Sequence, residues 1–176
     1  MKHIIAFAGS SSSKSINKQL ATYASTLVEN TEALVLDLND FELPIYSSDY
    51  ETAKGIPDNA TRFLELLKKT DGIIISLAEH NGSYATVFKN LFDWLSRAEP
   101  KNWLGKPMLL LSSSPGERGG QTVMDMAMER FPRHDANIVG QFSLPFFYDN
   151  FSDGKITNTD LNHQLLEEVH QFKASL

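Results

Sequence analysis

Residues 4–17 read I-I-A-F-A-G-S-S-S-S-K-S-I-N, and this stretch decides how the rest of the chain folds. An apolar run ends at Gly9, five of the next six residues are serine, and an apolar period then begins with Ile16, Leu20, Tyr23, Ala24 and Leu27. That spacing marks one face of a helix. A strand is therefore predicted to feed a loop of small hydroxyl residues, and the loop to feed a helix. The helix points its positive N-terminus back at hydroxyls and free backbone N–H groups, a combination that binds phosphate. Rival readings stand close by. A P-loop requires G-x-x-x-x-G-K-[ST], but here Gly9 is followed by four serines and then Lys14 and Ser15, without the second glycine. The dinucleotide fingerprint G-x-G-x-x-G is missing too. A serine-rich turn that only meets solvent is the plain alternative, and the loop by itself does not choose.

Outward from this stretch, strands and helices alternate. Residues 33–38 (A-L-V-L-D-L) read as a second buried strand, followed by a long loop over 39–55 containing Leu43-Pro44-Ile45. Pro57 suits a first helical position, and Ala60, Phe63, Leu64 and Leu67 give that helix its apolar face. Residues 72–77 (G-I-I-I-S-L) read as a third strand. A polar segment over 78–86 leads to a helix with Phe88, Leu91, Phe92 and Leu95 on one side. Gly105-Lys106-Pro107 breaks the chain before a fourth strand at 108–111, which ends in Ser112-Ser113-Ser114-Pro115-Gly116. Gly119-Gly120 precede a helix reaching about Phe131, with Val123, Met126, Ala127 and Arg130 in phase. A weaker fifth strand covers 137–144, and Asn158 or Thr159 opens a last helix carrying Leu161, Leu165, Val169 and Phe172.

Strict alternation implies a parallel sheet covered on both faces. Five strands suit a flavodoxin-like α/β sandwich of three layers, strand order 2-1-3-4-5, with residues 1–176 as one domain. In such sheets a ligand lies beyond the carboxyl ends of the strands, near the switch point between strands 1 and 3. The loops at 9–17, 78–86 and 112–120 converge there, and all are rich in small or polar residues. The opposite connections, Thr31-Glu32 and Thr70-Asp71, are short and plain. This asymmetry favours a ligand site over a solvated turn.

Composition removes several classes of function. A net charge of −6 argues against a broad nucleic-acid surface, so an anionic ligand has to be held by local dipoles. The chain has no cysteine, which removes disulfides, thiolate metal sites and cysteine nucleophiles. The five histidines, His3, His80, His134, His163 and His170, show no metal-ligand spacing. Met1-Lys2-His3 and the following apolar residues are too few for a signal peptide, and no run approaches membrane-spanning length. A cytoplasmic protein is expected, with no membrane and no nucleic-acid partner.

At the three loops the sequence resembles the NADPH-dependent FMN reductase family, the flavodoxin-like group that includes quinone, azo-dye and chromate reductases. The family's first loop, G-S-x-R-x-x-S-x-N, corresponds to Gly9-Ser10-Ser11-Ser12-Ser13-Lys14-Ser15-Ile16-Asn17, with Ser12 where the arginine belongs and Lys14 supplying a point charge. The second element, P-E-Y-N-x-S and then L-K-N-x-x-D-W, corresponds to Ala78-Glu79-His80-Asn81-Gly82-Ser83 and Phe88-Lys89-Asn90-Leu91-Phe92-Asp93-Trp94. Ala78, His80 and Ala85 depart from the pattern, while K-N-x-x-D-W is intact. The third, S-P-G-x-x-G-G, is Ser114-Pro115-Gly116-Glu117-Arg118-Gly119-Gly120.

The resemblance implies an FMN-dependent NAD(P)H oxidoreductase that passes electrons to a quinone, azo compound, flavin or metal oxyanion. It implies that Ser10, Ser12, Ser15, Ile16 and Asn17 hold the FMN phosphate. Glu79, His80, Asn81, Gly82 and Ser83 would line the ring, and Ser113, Ser114, Pro115, Gly116 and Gly120 would form the far wall. Arg118, the one cation of the third loop, is the expected contact for the phosphate of an incoming NADPH or NADH. Phe88 and Phe92 are expected in the core, and Trp94 and Trp103 at the interface of a homodimer or homotetramer, the usual states of the family. Three other functions stay open: a flavodoxin-type electron carrier without nucleotide oxidation, a nucleotide hydrolase suggested by the P-loop near miss, and a non-catalytic flavin or phosphate-binding module.

Overall fold

The opening apolar run becomes β1 (Lys2–Gly9), and its last six residues are buried, as befits a strand covered on both faces. The computed structural model describes residues Met1–Leu176. From β1 the chain continues through α1 (Ile16–Thr26), β2 (Thr31–Leu36), α2 (Ser48–Lys54), α3 (Asp58–Lys69), β3 (Gly72–Leu77), β4 (Glu79–His80), β5 (Ser83–Tyr84) and α4 (Thr86–Ala98). It ends with β6 (Pro107–Ser113), α5 (Gln121–Arg130), β7 (Asn137–Leu144), α6 (Phe147–Asn150), β8 (Phe151–Ser152), β9 (Lys155–Ile156) and α7 (Thr159–Ser175). Short 3₁₀ turns cover Leu38–Asp40 and Phe131–His134.

The main sheet has five strands in the order β2-β1-β3-β6-β7, every neighbouring pair parallel. This is the expected 2-1-3-4-5 arrangement. Side-chain alternation divides the core between two faces. Ile5, Phe7, Ile73 and Ile75 pack with Phe63, Leu67, Phe88 and Leu91 of α3 and α4. Ile4, Ala6, Ile74 and Leu109 pack with Leu20 and Ala24 of α1 and Val169 and Phe172 of α7. Phe88 and Phe92 lie in the first of these layers. No helix is long and apolar enough to cross a membrane.

Three expectations need correction. The second strand runs two residues earlier than its apolar letters suggest and is not a buried strand. It is an edge strand with Glu32, Ala33 and Leu34 exposed, so its limits follow pairing with Lys2–Phe7 and not burial. The long loop over 39–55 contains α2, a helix with no buried residue and hence no apolar period to reveal it. Its signals are polar instead: Ser47 accepts from the Tyr50 amide, Asp49 and Glu51 sit in the first turn, Lys54 in the last, and Gly55 at φ 75° stops it.

The third correction concerns the tryptophans. Trp94 and Trp103 are both fully buried, which rules them out as interface residues. Trp94 donates its indole N–H to the Pro44 carbonyl at 2.8 Å. Asn90, one turn earlier, donates to the carbonyls of Leu43 and Pro44 and accepts from the Tyr46 amide. The K-N-x-x-D-W element thus spends its asparagine and tryptophan on clamping the 43–46 loop to α4, and its Lys89 and Asp93 on an ion pair one turn apart. Trp103 is enclosed between Phe92 and Phe131, with ring centroids 5.8 and 4.9 Å away.

Candidate active site

Parallel strands place all their carboxyl ends at one edge of the sheet. Gly9, Leu77, Ser113 and Leu144 end β1, β3, β6 and β7 there, and the three loops picked out in the sequence leave from that edge.

The serine loop is held by its own hydroxyls. Ser10 Oγ accepts from the Ser12 amide and Ser12 Oγ from the Lys14 amide. Ser15 Oγ caps α1 by accepting from the Lys18 amide at 3.1 Å. The amides of Ile16 and Asn17 open the helix, where no intrahelical acceptor exists, and they form the positive end of its dipole. Ser11, Ser12, Ser13 and Lys14 are exposed, and Ile16 packs its side chain against the core. From outside the loop, Asn39 donates to the Ser11 carbonyl at 3.2 Å, and Lys18 pairs with Asp37 at 2.5 Å. That hydrogen bond and the Asn39 amide hold the Asp37 carboxyl below its ordinary range. A lowered carboxyl pKa adds stability above the ordinary value, and the contribution disappears as pH falls through the lowered one.

Asn17 has a different task from the one its motif implies. It is 2% exposed; its Nδ2 donates to the Ser113 carbonyl at 3.1 Å and its Oδ1 accepts from Ser76 Oγ at 2.7 Å. The side chain therefore ties α1 to the ends of β3 and β6, leaving only its backbone amide for a ligand. Ser76, buried inside β3, is a partner the sequence did not single out, because a lone serine in an apolar strand carries no periodic signal.

The second loop folds as a hairpin. Asn81 and Gly82 take φ of 52° and 70° between the paired strands β4 and β5. Asn-Gly is the strongest short-range hairpin signal, and it explains why the pair occurs here. Asn81, Gly82 and His80 are exposed at the tip, with Ser83 half-buried. Glu79 turns away from the tip. Its carboxylate accepts from the Val123 amide at 3.1 Å and so substitutes for the side-chain cap that Gly120 cannot give α5. The hairpin and the start of α5 are thereby fixed to each other.

The third loop is cross-braced. Ser112 Oγ and Ser143 Oγ both donate to the Gly119 carbonyl, at 2.9 and 2.8 Å, and Ser113 Oγ donates to the Leu144 carbonyl. Gly119 and Gly120 have φ of 57° and 82°, which a side chain would strain. Ser114 is half-buried, while Pro115, Gly116 and Arg118 are exposed. Arg118 donates to Thr122 Oγ1 at 3.0 Å and makes no ion pair. The amides of Phe146 and Phe147 donate to the carbonyls of Gly116 and Ser114, so the end of β7 also joins this wall, a contribution the sequence did not announce.

These residues fit FMN. A phosphate needs donors, and the serine loop offers hydroxyls and the first amides of a helix. A flat ring needs walls without bulk, and both remaining loops present exposed backbone, at Asn81-Gly82 and at Pro115-Gly116.

The chain matches the family described as NADPH-dependent FMN reductase over residues 2–149. It is 34% identical over 146 residues to a quinone reductase of Pseudomonas putida, covering 77% of each protein. To the quinone reductase of Escherichia coli K12 it is 35% identical over 79 residues, 45% of this chain. That match spans only 42% of the E. coli protein. Among solved structures, FerB, a flavoenzyme NAD(P)H:(acceptor) oxidoreductase from Paracoccus denitrificans, superposes with a TM-score of 0.78. The superposition covers 99% of this chain and 96% of that one at 23% identity, a likeness of fold. A shared profile over 2–149, the intact K-N-x-x-D-W clamp and three converging loops all point the same way: the chain belongs to the NADPH-dependent FMN reductase family.

Proposed function

We propose that this protein is an FMN-dependent NAD(P)H oxidoreductase that reduces small-molecule acceptors of the quinone, azo, flavin or metal-oxyanion type. The observation that carries the reading is the meeting of a capped helix N-terminus with two backbone-lined walls at the carboxyl edge of the sheet. When bound, FMN supplies the redox chemistry, taking reducing equivalents from NAD(P)H and releasing them to the acceptor.

The chain's own residues bind and orient. The amides of Ile16 and Asn17, with the hydroxyls of Ser10, Ser12 and Ser15, hold the phosphate. Lys14 adds a point charge. The exposed turn Asn81-Gly82 offers amide donors to the ring edge, where they stabilise negative charge as it develops. Pro115-Gly116 closes the other side, with His80 and Ser83 beside the tip. A hydrolase is disfavoured, since the acids just past the strand ends, Asp37 after β2 and Glu79 after β3, are engaged by Lys18 and by the Val123 amide. The visible spectrum of the purified protein tests the cofactor, and bleaching on addition of NADPH separates a reductase from a passive carrier or a binding module. A colourless protein that takes up no FMN would overturn the reading.

Ser15→Ala is expected to reduce folding stability by about 1 kcal/mol through loss of the α1 cap. FMN affinity should fall by about 0.5–3 kcal/mol through loss of a donor. Urea denaturation and flavin titration read the two effects separately. Equal affinities of the wild type for riboflavin and FMN would remove the phosphate from the scheme.

Arg118 is proposed as the contact for the nicotinamide nucleotide. It is exposed and its hydrogen-bond partner is a neutral hydroxyl, so its charge is available to a phosphate that its fork can bind at two oxygens. Arg118→Ala is expected to raise the Michaelis constant for NADPH more than that for NADH, with an effect that shrinks at high salt. Loss by the same factor with both nucleotides would show that Arg118 does not read the extra phosphate.

A homodimer or homotetramer belongs to the same reading. With both tryptophans buried, its support lies elsewhere: Ile45 and Met126, exposed by 73% and 37%, flank the strip of α4 carrying Lys89 and Asp93. Light scattering at micromolar concentration checks it, and a fully active monomer would sink it. Cytoplasmic residence is proposed on the need for an NAD(P)H pool, and residues 1–176 are taken as one FMN-binding unit.

A further inference from the structure

Ten of the eleven phenylalanines are buried; Phe146 is 43% exposed. Its ring has no aromatic partner, whereas its neighbour Phe147 stacks on Phe151 at 4.7 Å and anchors α6 in the core. The backbone of Phe146 is also unusual, with φ 45° and ψ 57°. A bulky residue in the left-handed region is strained, and such strain persists only where the surroundings impose it. Here they do. The Phe146 amide donates to the Gly116 carbonyl at 3.0 Å and the Phe147 amide to the Ser114 carbonyl at 3.1 Å. One residue earlier, the Pro145 carbonyl accepts from Asn150 Nδ2. The chain thus fixes an exposed aromatic residue, at a backbone position that would suit glycine, directly against the loop that forms one wall of the site. Neither burial nor backbone preference accounts for a phenylalanine there.

We propose that Phe146 is a specificity-determining residue: a rigid aromatic platform on which a planar, unsaturated ring acceptor stacks. The inference rests on the proposed reductase activity and names the acceptor class that this chain favours. Acceptors with a flat conjugated face, such as quinones, gain from offset or edge-to-face contact with the ring. Acceptors without such a face do not.

The test uses the FMN-loaded protein and compares a naphthoquinone with ferricyanide, an octahedral anion that has no face to stack. In Phe146→Gly the KM for the naphthoquinone should rise by about three- to tenfold, the worth of one aromatic contact, while that for ferricyanide moves far less. Phe146→Tyr should restore the quinone KM. The thermal midpoint of Phe146→Gly should stay within about 3 °C of wild type, because release of left-handed strain offsets the entropy that glycine gains in the unfolded chain. An unchanged quinone KM in an otherwise active variant overturns the platform alone. A large fall in the midpoint, or equal losses with both acceptors, makes Phe146 a packing or cofactor residue and overturns it too. A wild type that binds no flavin overturns the underlying activity and this inference together.

Discussion

Asn17→Ala is expected to lower folding stability by about 3–5 kcal/mol, more than any other single change in the serine loop. Two hydrogen bonds are lost, to the Ser113 carbonyl and from Ser76 Oγ, each worth about 1 kcal/mol. Ser76, fully buried in β3, is also left without an acceptor, which adds a desolvation penalty of about 1–3 kcal/mol. Because Asn17 joins α1 to the ends of two strands, the phosphate loop loses its position as well as its neighbour, and flavin content should fall with stability. Urea denaturation with an unchanged slope and a lower midpoint would confirm a stability effect. A variant that loses flavin yet unfolds at the wild-type midpoint would show that the side chain serves the ligand directly.

Gly119→Ala should be about as severe, at about 2–5 kcal/mol. The left-handed φ of 57° costs a non-glycine residue about 1–2 kcal/mol. The added Cβ would also lie 2.5 Å from Ser143 Oγ and 3.0 Å from the backbone of Leu144 and Pro145, and forced overpacking costs about 1–3 kcal/mol more. The serine could rotate, but the strand end cannot. Rotation would also break the bond by which Ser143 holds the Gly119 carbonyl. A fall of roughly 5–15 °C in the thermal midpoint is expected. Gly116→Ala in the same loop is the contrast. Its Cβ meets only Ser114 Oγ, at 4.0 Å, so the midpoint should barely move. If both variants melted alike, the crowding at Gly119 would not be what fixes the loop.

The sequence carried the sheet because burial on both faces leaves unmistakable letters. I-I-I-S-L after Gly72 and the apolar run after His3 read as buried strands once bounded by turn residues and alternated with helices, and β3 and β7 fall on their expected limits. Alternation with helices then left few topologies, and the order β2-β1-β3-β6-β7 followed. Where burial was slight the letters went quiet. α2 buries nothing, the edge strand β2 lies two residues before its apolar letters, and the strands flanking Asn81-Gly82 are only two residues each, too short to show an alternating pattern. Trp94 and Trp103 looked like surface aromatics because hydrophobic letters near a helix end do not say what folds over them. The 43–46 loop does so for Trp94, clamped by Asn90 from the same helix.

The candidate site divides along the same line. That Gly9–Asn17, the Asn81-Gly82 tip and Ser114–Gly120 share one edge is a property of chain direction, since every parallel strand ends on the same side, and this the sequence determined. Which atoms remain free at that edge is a matter of side-chain direction in three dimensions. Asn17 and Glu79 bear the motif's letters, but one is spent on Ser76 and Ser113 and the other on the Val123 amide. Phe146 bears no motif and stands exposed beside Gly116. Only tertiary structure decided these assignments, because a hydrogen bond depends on where two groups from distant parts of the chain meet, and sequence spacing specifies that distance only within a single helix, strand or turn.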